Sequence, residues 1–195
     1  MRLEIPMKNV MLSTLALALS LYTNAGPTQK ASKAPRVSHE DEEANIKDTS
    51  HLVKFISEIL TLASCGNEEL LVQIKRLSCT NCELRDIPSE FFHLSGLEEL
   101  ILNNNNLCYV TPNIAKFKSL KILDLSNNRI KELPETIGEM RSLIDINLSN
   151  NFLEKLPNKI ANLRQLERLT VRHNTLKKLP SGFSKLKQLQ YLDIR

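Results

Sequence analysis

Apolar residues recur along most of this chain with a period of 23 residues. The frame reads L-x-x-L-x-L-x-x-N-x-L-x-x-L-P-x-x-I-x-x-M-x-x and is complete at 120–142, where it begins at Leu120. The remaining copies, the last of them partial, occupy 74–96, 97–119, 143–165, 166–188 and 189–195. A repeat of this length and spacing predicts a solenoid in which each copy packs only on its neighbours.

Each copy contains a segment x-L-x-L-x, whose alternation of apolar and polar residues predicts a short strand with one buried face. Successive strands should lie parallel in one sheet. A fixed position after each strand forms what we call the asparagine column: Cys82, Asn105, Asn128, Asn151 and Asn174. A buried amide there can satisfy backbone groups of the turn that leaves the strand. The Leu-Pro step fixes φ, and the following I-x-x-L spacing indicates one turn of α- or 3₁₀-helix.

These motifs resemble those of the leucine-rich repeat superfamily. The 23-residue version with a Leu-Pro step is most similar to the intracellular Ras-binding scaffold and plant Ras-group-related branch. The resemblance covers 74–195 and implies an α/β solenoid, a horseshoe segment with a parallel concave sheet and a helical N-terminal cap. It further implies binding of other proteins on the concave sheet, and it carries over no catalytic residue and no cofactor.

The region before the repeats divides into three segments. Residues 1–25 resemble a secretory signal, because Arg2 and Lys8 precede an apolar stretch at 10–22 that a small-residue cleavage site follows. The alternative is a membrane anchor or a buried helix, but the stretch is shorter than the ~20 residues of a membrane span, which favours the signal. Residues 26–50 are polar and lack periodicity, which predicts a disordered linker.

The third segment, 51–73, has apolar residues at helical spacing and predicts an amphipathic helix with Thr49 or Ser50 as its N-cap. Gly66 is expected to end this helix, and Asn67 to cap a second short one. These helices would form an N-terminal cap that covers the core of the first repeat.

No comparable segment follows Arg195, so the last strand is expected to expose a backbone edge and one side of the leucine core. Two explanations stay open at this point. Either the chain is truncated, or another subunit covers the end.

The sequence indicates no catalytic, metal or cofactor site. Of the four cysteines, Cys79 and Cys82 fall on inward positions, Cys108 on an exposed turn and Cys65 in the cap, and their disulfide state stays open. The C-x-x-C spacing has no second pair and no histidine beside it, so core packing is favoured over metal or redox chemistry. Histidines are scattered, and five glycines form no phosphate loop, which predicts that the protein is not an enzyme.

Charge and modification sequences bear on the class of partner. A net charge of +4 is mild, so it indicates neither nucleic acid nor a membrane surface, and the expected partner is a protein. Asn147 begins the sequon Asn-Leu-Ser. A glycan at this position would block the concave face, so either the residue is unmodified or that face is not the working surface.

Outward strand positions can be followed from copy to copy. They indicate an acidic centre at Glu98, Glu99, Asp124 and Asp145, and a basic end at Arg168, Arg172 and Arg195. We hypothesise that this step in charge orients a protein partner, the alternative being a solvated face whose charges only prevent aggregation. The candidate partner-binding residues are Glu99, Asp124, Asp145, Asn147, Arg168, Arg172, His173 and Tyr191.

The sequence therefore predicts a secreted, non-enzymatic protein-interaction module, by analogy an exported effector delivered to another cell. The alternatives are a wall or coat component that self-associates through the open C-terminal edge, and the N-terminal fragment of a longer repeat protein with a downstream domain. No stable membrane insertion is expected after signal cleavage. Without cleavage, the chain would be cytoplasmic or membrane-anchored.

Overall fold

The structure is a computed structural model that describes residues 42–46 and 49–195. The predicted signal peptide at 1–25 lies outside these residues, as do 26–41 and 47–48 of the linker predicted over 26–50. Among the described helices, none has both the length and the apolar character needed to cross a membrane.

Seven parallel strands form one sheet whose spatial order follows the chain. Their bounds are β1 Glu42–Ile46, β2 Ile74–Cys79, β3 Glu99–Ile101, β4 Ile122–Asp124, β5 Asp145–Asn147, β6 Arg168–Thr170 and β7 Tyr191–Asp193. Neighbouring repeats keep one register, so that Leu123 lies between Leu100 and Ile146 of the adjacent strands. This arrangement confirms the predicted α/β solenoid.

A short 3₁₀-helix follows each strand from β2 to β6 and forms the opposite face of the solenoid. These helices span Ser89–His93, Pro112–Lys116, Glu135–Glu139, Asn158–Asn162 and Phe183–Lys185. The Leu-Pro step acts as predicted, because Pro134 and Pro157 each take an extended conformation just before the helix begins. Where the chain has Thr111 instead, its hydroxyl accepts a hydrogen bond from the backbone N–H of Asn113.

Leucine side chains fill the space between sheet and helices, and the asparagine column ties the repeats together. Asn128 Nδ2 donates to the carbonyls of Leu102 and Leu125, both at 3.0 Å, and its Oδ1 accepts from the Leu107 N–H at 3.0 Å. The predicted role of the amide in satisfying turn backbone is confirmed. The structure adds that each amide also binds the preceding repeat, since Leu102 follows β3 and Leu125 follows β4.

Strand β1 differs from the prediction of a disordered linker over 26–50. Ile46 pairs in register with Cys79 and is buried, so it takes the inward position that leucines occupy in later repeats. The Cys82 thiol donates to the Ile46 carbonyl at 3.5 Å, which extends the asparagine column by one weaker step. The prediction of a disordered linker is therefore wrong over 42–46, because this segment supplies an additional strand to the sheet.

Two helices form the cap, α1 over Thr49–Ser64 and α2 over Glu68–Leu71. Helix α1 includes both Thr49 and Ser50, so neither is the N-cap that the sequence predicted. The helix begins earlier than the apolar spacing indicated, and such boundaries commonly shift by a residue or two.

Gly66 ends α1 as predicted, in the left-handed conformation with φ of 70°. The N–H of Asn67 donates to the Leu62 carbonyl at 3.0 Å and that of Gly66 to the Ala63 carbonyl at 3.2 Å, a Schellman motif. Asn67 does precede α2, but its side chain makes no capping hydrogen bond.

The cap packs directly on the first repeat. Phe55 of α1 meets Phe91 edge to face, with ring centroids 6.3 Å apart. Behind α2, the backbone of Val72 lies so close to Gly96 that a Cβ on this glycine would overlap the Val72 carbonyl. The far end of the sheet is more exposed, with Leu192 of β7 at 37% and Ile194 after it at 51% of full exposure.

Candidate functional site

The concave face of the sheet carries the residues predicted to bind a partner. In β3 to β6 the central residue is buried in the core, while the residues on either side of it are half-buried or exposed. Six of the predicted residues lie within strands: Glu99, Asp124, Asp145, Asn147, Arg168 and Tyr191. Arg172 and His173 follow β6, at the edge where the strands end.

Ion pairs between neighbouring strands neutralise part of the predicted step in charge. Arg76 Nε lies 3.2 Å from a carboxylate oxygen of Glu99, and Arg168 Nε lies 3.6 Å from one of Asp145. Glu98, counted in the predicted acidic centre, is paired with Lys121 of the next repeat. The charges on this face therefore largely neutralise one another through ion pairs.

The predicted basic end is also smaller than the sequence indicated. Arg195 donates from Nε at 3.0 Å and from Nη2 at 2.9 Å to the buried carboxylate of Asp193. These hydrogen bonds hold the pKa of Asp193 well below its usual range. Since Arg168 is paired as well, Arg172 keeps the most available positive charge, and its Nη2 lies 3.1 Å from His173 Nε2.

A local excess of negative charge remains at Asp124 and Asp145, which we call the acidic spot. Asp124 accepts hydrogen bonds from Asn147 Nδ2 at 3.3 Å and from the Ser126 N–H at 2.8 Å. Within the described residues, no cation lies at ion-pair distance from Asp124. Burial raises the pKa of Asp145, the Asp124 carboxylate raises it further, and Arg168 opposes both.

Apolar side chains that were not among the predicted partner-binding residues lie beside the acidic spot. Ile122 pairs in register with Asp145 and is 37% exposed, while Ile101 pairs with Asp124 and is half-buried. Tyr191 pairs with Arg168 and is 48% exposed. The signal for the two isoleucines was present in the sequence, since both occupy outward strand positions.

The edge where the strands end has a repeated left-handed turn that sequence reasoning missed. Its members, which we call the left-handed column, have φ between 54° and 58°: Asn81, Asn104, Asn127, Asn150 and His173. Asparagine tolerates this conformation better than most residues, which explains its recurrence here. His173 continues the column, and its backbone N–H donates to the Arg195 carbonyl at 2.7 Å.

Asn147 is hydrogen-bonded through both ends of its side-chain amide. Its Oδ1 accepts from the Ser149 hydroxyl at 2.8 Å, and its Nδ2 donates to Asp124. A glycan on Nδ2 would replace one of the two hydrogens of this donor and cover the acidic spot. Glycosylation at Asn147 and binding of a partner at this spot therefore exclude each other.

The cysteines occupy the environments that the sequence predicted. Cys79 and Cys82 are buried, Cys65 and Cys108 are exposed, and the structure describes all four as free thiols. A hydrogen bond with Cys82, together with burial, raises the pKa of Cys79 far above its ordinary value. Such a thiol stays protonated, which favours core packing, and no group of metal-binding side chains occurs in residues 42–46 and 49–195.

An open groove of about 710 Å³ runs elsewhere, along the Leu-Pro steps of three repeats. The Glu135 carboxylate at this groove accepts hydrogen bonds from the backbone N–H groups of Asn158 and Lys159, at 3.2 and 2.9 Å. This carboxylate therefore holds the next repeat in place. For this reason the candidate site is placed on the concave face.

Comparisons with known proteins agree with this geometry. The sequence model of the leucine rich repeat family matches residues 118–176 and 142–195. No curated protein sequence matches the chain. Solved structures of 289 chains do match, so the fold by itself does not select a function.

Three of these structures illustrate the range of similar proteins. A leucine-rich repeat protein of Leptospira interrogans is 25% identical, with a TM-score of 0.55 over 75% of this chain and 40% of its own. The Arabidopsis thaliana receptor kinase GASSHO1/SCHENGEN3 ectodomain, in complex with CASPARIAN STRIP INTEGRITY FACTOR 2, is 26% identical, with a TM-score of 0.55 over 62% and 16%. The SOBIR1 receptor kinase ectodomain, also from Arabidopsis thaliana, is 32% identical, with a TM-score of 0.55 over 62% and 69%. The chain thus spans less than half the length of the first two.

Proposed function

Because this chain belongs to the leucine-rich repeat superfamily, whose domains typically serve as non-enzymatic scaffolds for protein interaction, we propose that it binds a partner protein on its concave face. The observation that carries this proposal is the acidic spot with exposed apolar neighbours. Asp124 lacks an ion pair within the described chain, and Ile122 beside it is partly exposed. A partner that places a cationic side chain over Asp124 and an apolar side chain over Ile122 would complement both.

The size of the sheet limits how such a partner binds. Six intervals of ~4.8 Å make a seven-stranded sheet about 29 Å wide, and a three-residue strand is only about 10 Å long. That area is well below the ~800 Å² per partner of a standard interface. The partner must therefore also contact residues after the strands, and Arg172 and His173 are the candidate residues placed there.

We further propose that the protein acts outside the cell that makes it, as a secreted module or an exported effector. The signal-like features of 1–25 support secretion, and the similarity to plant receptor ectodomains supports an extracellular type of domain. The 23-residue period with its Leu-Pro step supports a place near the Ras-group-related branch. Secretion is tested by N-terminal sequencing of the exported protein, which should begin after Ala25.

Charge reversal tests the binding face. We would capture partners with the full chain, with the Asp124→Lys/Asp145→Lys variant, and with a control carrying Glu83→Lys and Glu132→Lys at exposed positions off the concave face. Both variants change net charge equally. A partner retained by wild type and control but lost from the concave variant would support the proposal. Equal capture by all three proteins would refute it, provided that circular dichroism shows each to be folded.

Self-association is the second candidate function. Tyr191 and Leu192 of β7, and Ile194 just after it, are 48, 37 and 51% exposed, so apolar surface is available at this edge of the sheet. Light scattering distinguishes the two functions. A monomer at high concentration contradicts self-assembly, while a dimer that Leu192→Glu dissociates would favour it over the effector proposal.

A further inference from the structure

A line of positive charge runs along the solenoid, away from the concave face. Four successive repeats carry a basic residue at the same position, just before the strand begins. We call this set the basic ladder: Lys118, Arg141, Arg164 and Lys187. All four side chains are exposed. Neither the family comparison nor the concave site accounts for this recurrence.

The backbone holds the ladder residues in equivalent positions. The residue before each one ends a 3₁₀-helix with nearly the same angles: φ −75° and ψ 74° at Phe117, and φ −76° and ψ 73° at Leu163. These angles define an inverse γ-turn. The corresponding hydrogen bonds run from the Lys118 N–H to the Lys116 carbonyl and from the Arg164 N–H to the Asn162 carbonyl, both at 2.9 Å. The four side chains therefore leave the backbone in a regular file.

Adjacent repeats also stay close together at this edge. The Ser142 hydroxyl, next to Arg141, donates to the Lys118 carbonyl at 2.8 Å. At the following repeats, Arg164 Nη1 donates to the Lys185 carbonyl at 3.1 Å. With strands ~4.8 Å apart, the four cations form a file about 14 Å long.

Little in the described chain neutralises this file. Glu139 lies 3.9 Å from Lys118, at the limit of an ion pair, and the Lys118 side chain remains 65% exposed. Two positions earlier, the first and last of these repeats add positive charge at Lys116 and Lys185, while the other two carry Glu139 and Asn162. The concave face differs, since Arg76, Arg168 and Arg195 are paired with carboxylates and only Arg172 keeps an available charge among the arginines named there.

We propose that the basic ladder binds a linear polyanion, specifically a sulfated polysaccharide. Evenly spaced lysine and arginine side chains match a polymer with sulfate groups along one edge, and arginine binds such oxyanions through two hydrogen bonds. A membrane surface fits less well, because within the described residues no exposed large apolar side chain adjoins a ladder residue in the sequence. Single-stranded nucleic acid also fits less well. Of the exposed aromatic residues described, Tyr109 and Phe152 lie in the segments after the strands and Tyr191 lies in β7, so no row of aromatic side chains follows the ladder as a stacking platform.

The ladder and the concave face are separate surfaces, so a sulfated glycan at one leaves the other free. This inference does not depend on the proposed protein partner. Its test likewise uses neither Asp124 nor Asp145.

The test measures heparin binding by the full chain at several salt concentrations. The ladder variant replaces Lys118, Arg141, Arg164 and Lys187 with glutamine. A matched control also introduces glutamine, at four exposed positions in the segments that follow the strands: Arg85, Arg129, Lys155 and Lys178. Both variants lose two lysines and two arginines, so their net charges are identical.

We expect the ladder variant to bind short heparin oligosaccharides at least about tenfold more weakly, and its affinity to depend less steeply on salt, because fewer counterions are released on binding. The control should keep wild-type affinity within about twofold. Equal loss in both variants would reduce the effect to net charge and overturn the proposal, as would absence of heparin binding. Tighter ladder-dependent binding to single-stranded DNA or to anionic vesicles than to heparin would overturn the choice of a sulfated polymer.

Discussion

The same turn is built in two ways in this molecule, once with asparagine and once with cysteine. Asn105 Nδ2 donates to the carbonyls of Cys79 and Leu102 at 2.7 and 3.0 Å. Cys82, one repeat earlier, donates its thiol to the Ile46 carbonyl at 3.5 Å. An amide forms short bonds to two repeats, whereas a thiol is a weak donor. The regular repeats are thus joined by the asparagine column as well as by leucine packing. The junction with β1 depends mostly on packing.

The difference separates two sources of stability in a single solenoid. Repeat proteins behave approximately as chains of units coupled to their neighbours, so a weaker coupling at one place allows one end to open alone. Phe55 and Ile46 are buried at the junction with the cap, which compensates in apolar area for the weaker hydrogen bond. We therefore expect the stability of the interior repeats to depend on the asparagine column, and that of the cap to depend on contact between apolar surfaces.

The largest expected effect comes from removing one amide of the asparagine column. Asn128→Ala leaves the buried Leu107 N–H without a partner and removes one hydrogen bond from each of the Leu102 and Leu125 carbonyls. The two carbonyls still accept from the asparagines of the neighbouring repeats. At about 1–3 kcal/mol for the orphaned N–H and about 1 kcal/mol for each lost bond, unfolding should become easier by about 4 kcal/mol. Cys82→Ala removes only weak bonds and should cost about 1 kcal/mol. Urea denaturation of both variants measures the difference, and equal losses would contradict the distinction drawn between the two turns.

The repeats were predictable because every inward position recurs from copy to copy, so a single irregular residue does not hide the pattern. Strand β1 has a single inward apolar residue, Ile46, with no leucine spacing around it. Only the pairing of Ile46 with Cys79 in the structure shows that this segment belongs to the sheet. The error about the basic end has another origin. The prediction counted each arginine as an available charge, whereas Arg168 is paired with Asp145 of the neighbouring strand and Arg195 with Asp193 two residues earlier.

The next largest loss of stability is expected from alanine at two glycines that lie against backbone. The two variants should also show which part of the solenoid opens. A Cβ at Gly138 would overlap the Lys159 carbonyl between regular repeats, and one at Gly96 would overlap the Val72 carbonyl beneath the cap. Each alanine substitution should cost about 2–3 kcal/mol, because backbone has to move. Gly138→Ala should lower hydrogen-exchange protection throughout the repeats. Gly96→Ala should lower it chiefly in α1 and β1.

Gly182→Ala supplies a control for both glycines, since its Cβ would meet only side-chain atoms, the Ala161 Cβ at 2.9 Å and the Lys185 Cδ at 3.9 Å. This contact is with a side chain rather than a carbonyl, so a smaller loss of stability is expected. If Gly96→Ala instead weakened protection evenly along the chain, the cap and the repeats would form one cooperative unit, against the comparison above.

The smallest expected effect converts one turn into the other. Cys82→Asn places an amide where it can donate to the carbonyls of Ile46 and Thr80, which now accept from the thiol at 3.5 and 3.7 Å. Two stronger hydrogen bonds should stabilise the chain by about 1 kcal/mol and raise exchange protection in β1. Cys82→Ser serves as the control, because a hydroxyl can replace one thiol bond but cannot reach two repeats at once. A loss of stability in Cys82→Asn would mean that the pocket beside Cys79 is too small for an amide. The cysteine would then be required by the volume of this junction, and hydrogen bonding would not explain its place in the column.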